Sequence, residues 1–286
     1  MKQQKRVAAI HDISGFGKCS LTVALPILSA AGIETSVVPT AVLSTHTGGF
    51  TGYTYRDLTE DIRPFIKHWK SLNLTFDALY SGFLGSFEQI EIIGELFDAF
   101  KTPDNVILID PVMADNGVLY SIFTPDFAQE MKKLCRKADI IVPNITEASL
   151  LVGEPYVNGP YTEEYICNLL KKLSDIGPRQ IVLTGVFLDD RQLGAATYDA
   201  ATGEIAYLLS GKIPGYYHGT GDVFGSALLA ALLNGFDLTA ATRIAVNFTV
   251  ASIRRTFEAQ TDIRFGVNFE QGVPEFLKEL KLINRD

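Results

Sequence analysis

A Gly-Thr-Gly turn stands directly before an acid and an apolar run at His218-Gly219-Thr220-Gly221-Asp222-Val223-Phe224-Gly225-Ser226-Ala227-Leu228-Leu229. Glycine lets a backbone come close to a ligand without Cβ interference. The first N–H groups of a helix lack internal partners and carry partial positive charge, so such an end attracts phosphate. An acid at the same spot repels that anion and needs another explanation. One reading makes Asp222 a base that takes a hydroxyl proton while the amides of Gly219, Thr220 and Gly221 hold the phosphoryl group under attack. The other makes Asp222 a helix N-cap and Gly-Thr-Gly a plain turn. On this segment alone both stay open.

Other chemistry-bearing residues recur along the chain. Asp110-Pro111-Val112-Met113-Ala114-Asp115 follows an apolar run, and Asn144-Ile145-Thr146-Glu147 sets an amide and an acid three residues apart. That spacing puts Asn144 and Glu147 on one helical face. Hard oxygens of this kind suit Mg²⁺ held partly through water at Asp110 and Glu147, or equally a helix cap. The segment Ser44-Thr45-His46-Thr47-Gly48-Gly49-Phe50-Thr51-Gly52-Tyr53 is too polar for core and reads as a loop over a ligand or as an ordinary mobile loop.

Ser14-Gly15-Phe16-Gly17-Lys18-Cys19-Ser20 invites two identifications that both fail. The phosphate-binding pattern G-x-x-x-x-G-K-[ST] meets Asp12 at its first glycine and Cys19 in its Ser/Thr slot. The dinucleotide pattern G-x-G-x-x-G meets Ser20 at its third glycine. What remains is a strand-to-helix turn lining a small-molecule site.

These residues need a scaffold, and short β-like runs alternate with helical periodicity almost throughout. The pattern predicts strands at 6–11, 35–42, 77–81, 106–110, 139–142 and 180–183, an antiparallel pair at 192–198 and 205–209, and helices near 21–31, 57–70, 87–100, 124–137, 144–152, 162–174, 222–233, 239–256 and 274–282. Such alternation argues for an α/β fold, a single-domain three-layer α/β/α sandwich over residues 1–286 with a mostly parallel central sheet. Ligands bind beyond the carboxyl ends of such strands. Asp12, Ser81, Asp110, Asn144 and Thr184 all fall at or just after predicted strand ends.

Composition removes several classes. Hydrophobic residues make up 47% of 286 residues, enough for a large core, and the net charge of −8 disfavours a nucleic-acid partner. Cys19, Cys135 and Cys167 form no CxxC pair, which fits reduced thiols in a cytoplasm. No apolar run approaches membrane-spanning length, and the stretch after Met1–Arg6 is shorter than a signal peptide needs.

Taken together the motifs resemble the ribokinase-like small-molecule kinases, and within them the pyridoxal/pyridoxamine kinases. Gly219-Thr220-Gly221-Asp222 matches the G-T-G-D signature, and Ser44-Thr45-His46-Thr47-Gly48 is similar to the S-N-H-T loop. Ser81-Gly82-Phe83-Leu84-Gly85-Ser86-Phe87-Glu88-Gln89, Asp110-Pro111-Val112-Met113 and Pro143-Asn144-x-x-Glu147 match further segments in the same order. The resemblance implies transfer of a phosphoryl group from ATP to the 5′-hydroxymethyl group of a vitamin B6 vitamer, with Asp222 as base. It implies nucleotide contacts at Asn144, Glu147, Thr184, Lys212, Gly219 and Gly221, and substrate contacts at Asp12, Ser44, His46, Thr47 and Phe83. Mg²⁺ with ATP, a monovalent cation such as K⁺ and a homodimer are implied as well.

The chain departs from that pattern in three places. Asp12 stands where many members have Ser, Phe83 where they often have Tyr, and Val142 where some place a polar residue near the monovalent cation. Asp12-Ile13-Ser14-Gly15-Phe16-Gly17 is also similar to the S-D-x-S-G-G-A-G turn of hydroxymethylpyrimidine kinases, which makes that substrate the alternative. A non-catalytic ligand-binding protein is a third possibility, and the intact Asp222 argues against it.

Overall fold

The computed structural model describes residues 4–284. Met1–Gln3, on which part of the signal-peptide argument rests, lie outside them. The chain opens with β1 (Arg6–Ser14), α1 (Leu21–Ala30), β2 (Glu34–Leu43), β3 (Tyr55–Asp57) and α2 (Thr59–Ser71). It continues through β4 (Ala78–Ser81), α3 (Phe87–Phe100), β5 (Val106–Ile109), a small hairpin of β6 (Ala114–Asp115) and β7 (Val118–Leu119), α4 (Asp126–Cys135), β8 (Ile140–Ile141), α5 (Ile145–Val152) and α6 (Glu163–Ser174). It ends with β9 (Gln180–Val186), β10 (Gln192–Asp199), β11 (Glu204–Gly211), α7 (Thr220–Leu233), α8 (Leu238–Glu258) and α9 (Val273–Glu279).

These elements group into two units: residues up to Ile62 with Thr75–Asp77 and those from Ile213 on, and Arg63–Leu74 with Ala78–Lys212. In the first, β1 pairs parallel with β2, and β3 adds antiparallel. Val7 to Ile10 of β1 are fully buried, as expected of a strand covered on both faces. The β1–β2 register shifts between His11 and Ile13, so a bulge falls at Asp12. Such bulges re-aim a side chain. Helix α7 packs on α1 and α8 and is buried all along Val223–Ala231, a helix apolar on every face. Its N-terminus is therefore held by the core.

In the second unit β4, β5, β8 and β9 run parallel, and β10 and β11 return antiparallel from β9. Their interior residues, such as Leu79, Leu108, Ile141 and Val182, are buried without alternation. Helices α3 to α6 pack in succession.

Several predicted boundaries move. β1 runs to Ser14, three residues past its predicted end, which puts Asp12 inside the strand. β9 likewise runs on through Thr184 to Val186. Pro125, predicted at the first helical position behind a Thr124 cap, itself occupies the cap position of α4, with no side-chain cap.

Candidate active site

Helix α7 begins at Thr220, and the cap position belongs to Gly219 with φ 74° and no side-chain cap bond. Asp222 thus sits inside the first turn and caps nothing, which removes the capping reading of this acid. The left-handed Gly219 has a steric cause, because a Cβ there would lie 1.9 Å from the Lys18 carbonyl oxygen. Gly266, at φ 84°, faces the same residue from another segment, where a Cβ would meet the Lys18 backbone nitrogen and oxygen at 2.9 and 2.8 Å. The Lys18 amide donates to the Phe265 carbonyl at 3.0 Å. Its ammonium group donates to Asn268 Oδ1 and Glu270 Oε2, each at 3.0 Å, and to the Val267 carbonyl at 3.3 Å. Lys18 is therefore a structural wedge that orders the Gly219 turn, its ammonium group committed to oxygens of the 267–270 segment.

Asp222 is partly open to solvent at the helix mouth, while dense protein around its carboxylate pushes its pKa up to about 7. A Ser20 backbone hydrogen bond works in the opposite direction, and the charge of Asp12 adds to the rise. A proton acceptor balanced near neutrality suits general-base work. Asp12 is buried, with Oδ1 accepting from Ser20 Oγ at 2.5 Å and Oδ2 from Ser14 Oγ at 3.0 Å. Burial raises the Asp12 pKa, and the two serine hydroxyls moderate that rise.

His46 is buried and tied at both ring nitrogens. Its Nδ1 accepts from the Gly48 amide at 3.1 Å, so Nε2 carries the proton and donates to the Arg264 carbonyl at 2.6 Å. Burial lowers its pKa and keeps the ring neutral. Ser44 Oγ accepts from the Thr54 amide at 2.9 Å, closing the loop that carries Thr47. Phe16, Phe50 and Phe265 cluster above it, with ring centroids 5.0 to 6.4 Å apart, and Phe16 is half exposed. Sequence reading placed Ser14, Lys18 and Ser20 in a turn lining a small-molecule site without giving any of them a role, and did not single out Arg264 or Phe265.

The second unit gathers its own predicted residues at strand ends. Asp110 donates its amide to the Ser81 carbonyl, and Thr184 donates its amide to the Pro143 carbonyl beside Asn144, each at 2.9 Å. Asn144 and Glu147 form a reciprocal capping box on α5, both bonds 2.9 Å. Glu147 Oε1 also accepts from the Met113 amide at 3.1 Å, and burial drives the Glu147 pKa well up. Among the described residues no group of three or more His, Cys, Asp or Glu can hold a metal. The donor set, hard carboxylate oxygens with Glu147 engaged in its cap, suits an ion bound chiefly through water and phosphate oxygens. Phe83 stands 5.8 Å from the Phe123 ring, and exposed Lys212 lies 5.0 Å over the Phe187 ring.

Comparison with known proteins places this geometry. A family model described as Phosphomethylpyrimidine kinase matches residues 27–265. A crystal structure from Bacteroides thetaiotaomicron, assigned as a phosphomethylpyrimidine kinase and solved with pyridoxal, is 38% identical with a TM-score of 0.91, covering 96% of each chain. Pyridoxal kinase from Lactobacillus plantarum is 30% identical with a TM-score of 0.89, covering 99% of this chain and 100% of that one. Pyridoxine kinase from Bacillus subtilis is 31% identical over 183 residues, 63% of this chain and 65% of its own. The chain belongs to the phosphomethylpyrimidine kinase family and, within the ribokinase-like superfamily, to its pyridoxal kinases.

Proposed function

We propose that this protein transfers the γ-phosphoryl group of ATP to the 5′-hydroxymethyl group of a vitamin B6 vitamer. The observation that carries the reading is Asp222, a non-capping acid with a pKa near 7 beside the uncapped amides of α7. Asp222 accepts the hydroxyl proton, the oxygen forms its bond to phosphorus, and the bond to the bridging oxygen of ADP breaks. The amides from Gly219 to Asp222 meet the charge on the phosphoryl oxygens. Mg²⁺, when bound, neutralises phosphate charge, and Asp110 with Glu147 would hold it through water. The nucleotide contacts are assigned to Asn144, Thr184, Lys212 and the Gly219–Gly221 turn, as the resemblance implies. The aromatic group of Phe16, Phe50 and Phe265 supports a flat heteroaromatic substrate under the 44–53 loop. We take the chain to act as one kinase domain, as a homodimer in the cytoplasm. The support is resemblance, and light scattering would test the dimer. Among the described residues no helix is long and apolar enough to cross a membrane.

A second reading, hydroxymethylpyrimidine as substrate, is favoured by the family description and by Asp12, whose carboxylate suits a ring amine. Phosphorylation assays over pyridoxal, pyridoxamine, pyridoxine and hydroxymethylpyrimidine decide between them. Turnover of the pyrimidine alone would refute the vitamer assignment, and turnover of none would refute the kinase.

A further inference from the structure

Two glycines make room for two imidazoles. At Gly17, with φ 84°, a Cβ would lie 2.3 Å from His46 Cδ2. At Gly48 one would lie 2.5 Å from His218 Nδ1 and 3.3 Å from His46 Nδ1. The two rings follow each other with centroids 5.3 Å apart, and Tyr216 stands edge-on 5.2 Å from His218. Gly17 adopts the left-handed backbone that favours glycine, but Gly48 does not. What a side chain at position 48 would meet is the His218 ring. His218 directly precedes Gly219, so this row of rings runs from the 44–53 loop to the residue beside the Gly219 turn.

We propose that His218 is a positioning residue that holds the 44–53 loop and the Gly219 turn at one spacing, through its ring seated on Gly48. The proposal rests on the kinase reading above, in which the loop covers the substrate ring and the turn holds the phosphoryl group. The distance from hydroxyl oxygen to phosphorus then depends on how the two segments are spaced, and reaction needs those atoms in near-attack geometry. His46 and His218 divide the work. His46 ties the loop to the Arg264 carbonyl, whereas His218 sets the loop against the start of α7.

The test is a double-mutant cycle on Gly48→Ala and His218→Ala, read by steady-state kinetics with pyridoxal and ATP and by urea unfolding. The added methyl must push the ring from 2.5 Å to ordinary contact, about 1 Å further. His46 and Tyr216 flank the ring, so the shift passes into the backbone before Gly219. Gly48→Ala should therefore lower kcat at saturation by about tenfold to 10²-fold. His218→Ala should lower kcat about tenfold. Its pyridoxal KM should stay within about threefold of wild type, because His46 still ties the loop. In the double variant the methyl meets no ring, so kcat should match that of His218→Ala within about twofold. A Gly48→Ala loss of equal size in both backgrounds overturns the proposal, and so does a wild-type kcat in His218→Ala. A His218→Ala loss confined to the pyridoxal KM overturns the positioning role, since plain cover for the ring would read that way. Gly52→Ala, in the same loop with φ 72° and nothing within 4 Å of its Cβ, reports loop strain alone. A kcat loss there equal to that of Gly48→Ala overturns the steric account. The urea midpoint should fall on Gly48→Ala in the wild-type background and hold in the His218→Ala background, and equal changes in both overturn the contact. No turnover of any vitamer by wild type would refute the kinase reading, while the midpoints still decide whether His218 is seated on Gly48.

Discussion

Gly219→Ala probes how the turn proposed to be catalytic is held. Left-handed backbone costs a non-glycine residue roughly 1–2 kcal/mol, and a second term comes from contact. The added Cβ would sit 1.9 Å from the Lys18 carbonyl oxygen, closer than real Cβ atoms approach anything. Either the turn or Lys18 must retreat by about 1 Å, a displacement that can cost 10²-fold when it moves catalytic groups. Gly235→Ala separates the terms, because it has φ 92° and its Cβ would meet nothing within 4 Å. Both variants should lose about 1–2 kcal/mol in urea unfolding from backbone strain, with a further loss only at Gly219. In a coupled ADP-release assay with pyridoxal, kcat should fall roughly 10²-fold for Gly219→Ala and stay near wild type for Gly235→Ala. Equal stabilities and a kcat within threefold of each other would refute the claim that Lys18 sets the turn.

Asp222→Asn should reduce kcat by several orders of magnitude while ATP still binds by calorimetry, and near-normal turnover would remove the base assignment. The same change should stabilise the fold at pH 8. Because the folded-state pKa of about 7 lies above the ordinary carboxylate value, the folded chain holds that proton more tightly than the unfolded one. Stability therefore declines as pH rises from about 4 to 7. With partial exposure discounted, the gain on neutralising the group should be about 1–3 kcal/mol, read by chemical unfolding at pH 8. In wild type, kcat/KM should drop about tenfold per unit as pH falls below 7, and a flat profile down to pH 5 would contradict the assignment. Asp12→Ser should change the preference among vitamers and hydroxymethylpyrimidine more than the KM for ATP, and uniform losses on all substrates with ATP affinity falling in step would contradict it. His46→Ala should raise the vitamer KM about tenfold or more, the scale of one or two lost hydrogen bonds, and speed hydrogen exchange at Gly48. Unchanged exchange there would show that the ring does not tie the loop.

Much of the scaffold could be read from periodicity. Helix α3 spans 87–100 as expected, because Ser86 caps it and Gln89 sits on its buried face. The alternation of strand and helix translated into the observed element order, apart from β3 and the β6–β7 hairpin, whose two- and three-residue strands are too short to leave a periodic signal. Boundaries failed where polar residues extend a buried strand. Asp12 and Ser14 satisfy each other inside β1, and Thr184-Gly185 continues β9, but both stretches look like turns to a pattern that tracks hydrophobicity. The G-T-G-D turn was visible, whereas its support was not. Lys18 meets Asn268 and Glu270 some 250 positions away, and no local spacing records such contacts. The pairing of Asn144 with Glu147 was legible as a cap or a metal site, and the structure makes the cap.

The wedge at Lys18 bears on where this enzyme begins and ends as a working unit. The family match runs from 27 to 265, yet the residue that shapes the Gly219 turn lies before that stretch and its anchors, Val267, Asn268 and Glu270, lie after it. A protein trimmed to the shared stretch would keep the G-T-G-D sequence while losing both Asp12 and the brace beneath Gly219. Transplanting the proposed active site into a relative would accordingly require moving three separate stretches of chain together: the first strand and its turn, the start of α7, and the 264–270 tail.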